Sequence, residues 1–199
     1  MFCESLFIPF LDNGNKYYTA VFIGIESPED AGIYLVVPYV LAAVIVPFLG
    51  IWVERVEQRS VLIILTVVSF WLAYVVMMVA ETSTSLRSSE GVRWIPVGFL
   101  GIGTGMFCAI IVPTLPMIVN AKLLGTAFGL MEMLQNLALG LFPIIIGAIR
   151  ERVSDHELLG FHQQSLFFFL TGCITIGLAF ILKAVDKVSG SHIDKKGFR

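Results

Sequence analysis

Residues 32–53 read GIYLVVPYVLAAVIVPFLGIWV, an uncharged stretch rich in branched and aromatic side chains. A helix rises about 1.5 Å per residue, so the stretch is about 33 Å long as a helix. That length matches the roughly 30 Å hydrocarbon core of a bilayer. A strand of a membrane barrel would be about ten residues long and would alternate polar with apolar side chains. This stretch does not alternate. A helix pairs all of its own backbone N–H and C=O groups, which lipid cannot do, so the stretch reads as a membrane-spanning helix.

Four more runs of the same kind follow, at Val61–Ala80, Ile95–Val119, Thr126–Ile149 and Ser165–Ala184. The five together take up just over half of the 199 residues. Glu132 and, at the last edge, Lys183 are the charges inside them. The whole chain is 57% hydrophobic and 14% charged. Soluble domains run at about 45–50% and about 25%. Mean hydropathy is +0.87. These values exclude a disordered chain, a nucleic-acid binder and an ordinary cytosolic enzyme. Net charge is −2, so no basic surface invites a polyanion. The expected fold class is an all-α, multi-pass membrane protein.

Met1–Leu11 is apolar but too short to span, and it reads as the end of a helix whose beginning is missing. The expected organisation is a transmembrane half-bundle over residues 1–184 and a cytosolic tail over 185–199.

Orientation follows from the cations. One set of connections carries Arg55, Arg59, Lys122, Lys183, Lys187, Lys195, Lys196 and Arg199. The other carries Lys16, Arg87, Arg93, Arg150 and Arg152. Eight against five places the first set, and the C-terminus, in the cytosol. A further span ending at Leu11 then gives the chain a cytosolic start.

No cofactor, no metal and no enzymatic activity are expected. Cys3, Cys108 and Cys173 are an odd number without ligand spacing. His156, His162 and His192 fall in expected loops or the tail, and no His, Cys or acid cluster has metal spacing. The glycines at 98, 101, 103 and 105 do not have dinucleotide-binding spacing, and no strand precedes them. In a membrane helix they mark close packing, and Pro113 and Pro116 mark bending.

The most informative polar set is Glu132, Gln135 and Asn136. Spacings of three and four put them on one helix face. A carboxylate in lipid is costly, so such residues turn toward a bundle interior or a watery cavity. They form either a polar wall of a solute path or a hydrogen-bonded clamp between helices. Gly125 and Gly129, four apart, permit close helix packing. Gly50, with Glu54, Arg55 and Arg59, makes a short charged turn. It either latches neighbouring helices or simply anchors topology. Tyr39 offers an aromatic face and a hydroxyl at depth, for a solute or for a neighbouring helix. Trp71 and Tyr74 are mid-span and suit packing or lipid contact.

These residues resemble the C-terminal half of a major facilitator superfamily transporter. The Gly50, Glu54, Arg55, Arg59 turn resembles the second, degenerate copy of that family's loop motif. The segment from Gly125 to Asn136 resembles its eleventh helix, and Pro113 and Pro116 resemble the end of its tenth. Gly125 to Asn136, with Tyr39, Pro47 and Pro113, is most similar to the lysosomal dipeptide branch of the superfamily. The resemblance implies that the five spans are helices eight to twelve and that Met1–Leu11 ends helix seven. It implies a midplane site shared by two halves that rock against each other. It further implies that helices seven, eight, ten and eleven line the cavity, while nine and twelve face outward. Tyr39, Thr104, Glu132, Gln135 and Asn136 are then the cavity-facing candidates. The acid at 132 departs from the uncharged amide that the resemblance leads one to expect.

The function implied is alternating-access transport of a small polar organic solute, dipeptides first, in a lysosomal bilayer. The implied partners are a missing N-terminal half and a glycosylated lysosomal membrane protein as accessory subunit. The rival readings are a half-transporter that dimerises and a non-transporting membrane adaptor or scaffold.

Overall fold

Ser27 starts the first long helix. Its hydroxyl accepts the backbone N–H of Asp30 at 3.1 Å and donates to the Asp30 carboxylate at 2.8 Å. Pro28 follows at the first helical position, where a missing N–H removes no bond. The computed structural model describes residues 14, 16–25, 27–55, 58–151, 157–188 and 193. A short helical stretch at 16–21 comes first. The helices after it are α1 (Pro28–Arg55), α2 (Arg59–Glu81), α3 (Thr84–Ser88), α4 (Glu90–Met106), α5 (Val112–Ile118), α6 (Leu124–Glu151) and α7 (Glu157–Val188). Among the described residues there is no strand.

All five expected spans are present as apolar helices long enough to cross a membrane, the third as the continuous unit Glu90–Ile118. The helices run past the apolar windows. α7 begins at Glu157 rather than Ser165 and ends at Val188 rather than Ala184. Its polar first turns hold no proline, so nothing stops the helix there. His162 is therefore a helical residue and not a loop residue. The expected helix end at Met1–Leu11 lies outside the described residues, as does most of the tail.

The third span is not one regular helix. Phe107–Ile111 form a π-turn between α4 and α5. Pro113 accounts for its position. The proline ring crowds the carbonyl four residues earlier, at Ala109, and offers that carbonyl no N–H. Widening the turn by one residue accommodates both effects.

Packing runs in the order α1, α4, α2, α7, α6. Glycines set the closest approaches. A Cβ on Gly101 would meet Leu41 of α1 at 2.7 Å, and one on Gly103 would meet the Phe70 ring of α2 at 3.1 Å. On α7, a Cβ on Gly172 would meet Trp71 at 2.6 Å. Ser69 of α2 donates to the Phe99 carbonyl of α4 at 2.8 Å, a direct bond between helices. Tyr74 is buried and stacks on Phe168 of α7 with ring centroids 4.9 Å apart. Trp71 and Tyr74 thus serve packing, as their mid-span positions suggest.

The two ends of this order are bare. Only 6% of the α6 span and 17% of the α1 span are buried, against 61% of Glu90–Ile118. α2 is half buried because α4 and α7 flank it.

Candidate functional site

Helix α6 carries its polar residues on its open side. Gly125, Gly129, Glu132 and Asn136 follow at helical spacing and all are exposed, with Gln135 half-buried beside them. The Asn136 amide donates to the Glu132 carbonyl at 2.9 Å, which fixes it against its own helix. Nothing approaches within 4 Å of a Cβ built on Gly125 or Gly129. The same holds for Gly50. Among the described residues these three glycines pack against no neighbour. The close packing between helices falls instead on Gly101, Gly103 and Gly172, whose surroundings are filled.

Tyr39 lies on α1 and is 47% exposed. Thr104, on α4, is 8% exposed, and its hydroxyl donates to the Leu100 carbonyl at 2.8 Å. It sits beneath α1, because Gly101 and Gly105 on either side of it face Leu41 and Ala42. Tyr39 and the Glu132 face are therefore both open, but they are on the outermost helices of the packing order. Thr104 lies between helices and does not join them at an open surface. Arg55 is exposed at the end of α1 and Arg59 is half-buried at the start of α2. Glu54 precedes Arg55 in the last turn of α1.

An apolar cavity of about 330 Å³ opens among α2, α5, α6 and α7. Ile63, Leu115, Met131, Leu134 and Leu182 line it, and Thr114 is its polar exception. None of the five cavity-facing candidates lines it. Met131 and Leu134 belong to the side of α6 turned away from Asn136. This hollow suits hydrocarbon rather than a polar solute.

A second polar cluster was not legible as a site. Glu81, at the end of α2, accepts from Tyr17 Oη at 2.9 Å and from Ser165 Oγ at 2.5 Å. His162 Nδ1 lies 2.9 Å from its other oxygen. Nearby, Arg87 donates to the carbonyls of Val21 and Ala20, and Arg93 to those of Ile23 and Ser88. These arginines tie α3 and α4 to the 16–25 segment. The one available signal is the pair His162 and Ser165, three residues apart on one helix face, opposite an acid at a span edge.

The chain matches the Major Facilitator Superfamily profile over residues 2–197. The chain belongs to the major facilitator superfamily. It is an integral, multi-pass membrane protein with part of the superfamily's fold. Among curated relatives it is similar to the lysosomal dipeptide transporter MFSD1 of Homo sapiens, 26% identical over 94% of this chain and 36% of that protein. The Danio rerio protein of the same name is 27% identical over 89% of this chain and 35% of its own length. The Gallus gallus protein is 25% identical over 94% and 38%. The chain thus spans little more than a third of the length of these relatives. No solved structure matches it. Within the superfamily, paired six-helix halves carry a binding site where they meet. The bare faces of α1 and α6 fit a half of that kind.

Proposed function

We propose that the chain forms the C-terminal half of the translocation path of a solute carrier. The carrier moves a small polar organic solute, with dipeptides the first class to test, by alternating access rather than by catalysis. The open polar face of α6 supports this reading most. Glu132, Gln135 and Asn136 sit on a helix that this chain leaves almost uncovered. A carboxylate at that depth calls for water or a polar partner, not lipid. Tyr39, on the equally bare α1, supplies an aromatic and hydroxyl surface across the path. Thr104 joins the path when α1 shifts away from α4. Gly125 and Gly129 let a helix of the complementary half approach closely, and Gly50, Glu54, Arg55 and Arg59 latch the cytosolic end.

The partners in this reading are a complementary N-terminal half, the lipid bilayer and a glycosylated lysosomal membrane protein as accessory subunit. The excess of cations places the C-terminus in the cytosol. The names of the curated relatives support the lysosomal membrane and the dipeptide class.

Dipeptide uptake into proteoliposomes tests the proposal, with the chain reconstituted together with a complementary half. Uptake should need both halves and should fall at least about tenfold with Glu132→Gln, the scale of one lost charge-assisted contact. Tyr39→Phe should raise the half-saturating concentration. If both variants transport like the parent protein, the site assignment is wrong. Stable association of the halves without any uptake would favour the scaffold reading.

A further inference from the structure

Glu81 closes α2 at the bundle end where α7 begins, and its side chain is only 5% exposed. Two hydroxyls from other elements, Tyr17 and Ser165, donate to Oε1. Oε2 is left for His162, whose Nδ1 is 2.9 Å away. The His162 side chain is 41% exposed, while the carboxylate stays buried behind it. When Nδ1–H donates to Glu81 Oε2, Nε2 is the nitrogen that can take a proton.

Among the described residues, three arginines at this end of the bundle make contacts of their own. Arg150 of α6 lies over the Phe161 ring, 4.3 Å from its centroid, and that ring packs edge-on against Tyr17. Arg87 of α3 and Arg93 of α4 donate to backbone carbonyls, Arg93 through Nη2. With a neutral imidazole and an ionised Glu81 the pair carries one net negative charge, on the buried carboxylate, which is costly away from water. A proton taken from water onto Nε2 makes the pair neutral overall. The bond from Nδ1 then joins an imidazolium to a carboxylate, and such bonds are stronger than neutral ones.

We propose that His162 and Glu81 form a proton-binding site that fastens α7 and the 16–21 segment to α2 when the solution at that end is acidic. The ligand is the proton, and the site stands on this geometry independently of the transport reading. In a carrier it would make closure of this end of the bundle depend on pH.

Backbone hydrogen exchange on the 199-residue chain in lipid nanodiscs tests this. Rates at about pH 5 and about pH 7.5 are compared after correction for intrinsic exchange. Segments 16–25 and 159–165 should be about fivefold better protected at the acidic pH, the difference between a neutral and a charge-assisted bond. Glu81→Gln and His162→Gln keep a hydrogen-bonding amide and should abolish that difference. Equal protection of the unmodified chain at both pH values overturns the proposal, whether or not the variants fold. So does a folded His162→Gln variant that keeps the difference.

Discussion

His162 on α7 and Glu81 on α2 meet at 2.9 Å across 81 residues of chain. Ser165 and Tyr17 reach the same carboxylate, so one side chain binds three elements together. Removing it takes the acceptor from the buried Ser165 hydroxyl and leaves Tyr17 Oη with the Met77 carbonyl at 3.4 Å, and an unsatisfied donor costs about 1–3 kcal/mol. Glu81→Ala should lower the thermal midpoint in detergent clearly. Glu81→Gln, which can still accept from both hydroxyls, should lower it less. Equal midpoints for Glu81→Ala and the parent chain would contradict this role.

Gly103 faces the Phe70 ring, and a Cβ there would sit 3.1 Å from it. Phe70 is fully buried between α2 and its neighbours and has little room to yield. Gly103→Ala should therefore cost about 1–3 kcal/mol, as overpacking of a filled core does. A thermal or denaturant unfolding curve in detergent reads this directly. An unchanged curve would mean that α2 and α4 are less tightly fitted than described.

Gly125 gives the opposite expectation. A Cβ there meets nothing within 4 Å, so Gly125→Leu should change the stability of the isolated chain by less than about 0.5 kcal/mol. It should nonetheless weaken association with a complementary half, because the glycine pattern serves close helix approach. Co-purification of the two halves measures this. Normal association of Gly125→Leu would remove α6 from the interface.

The spans were legible in the sequence because lipid imposes a length and a composition that few other constraints mimic. Their ends were not. The apolar windows stop where the apolar residues stop, whereas α7 begins earlier, at Glu157. That miss hid the cluster at Glu81, since His162 and Glu81 both fell in expected connections. The polar face of α6 was legible because Glu132, Gln135 and Asn136 repeat at helical spacing. Close packing was legible for Gly101 and Gly103, but that Gly125 and Gly129 would stand open was not. Gly103 and Gly125 look alike in sequence, and only the placement of Phe70 separates them.

In the proposed function, the Glu132 face of α6 lines a watery, solute-binding path. The most direct test is thiol labelling of Asn136→Cys, made in a chain whose Cys3, Cys108 and Cys173 are replaced by serine, in membranes that also hold the complementary half. A charged, membrane-impermeant thiol reagent should label position 136, and a saturating dipeptide should slow that labelling. Labelling by lipid-soluble maleimide alone, with no effect of dipeptide, would contradict the account.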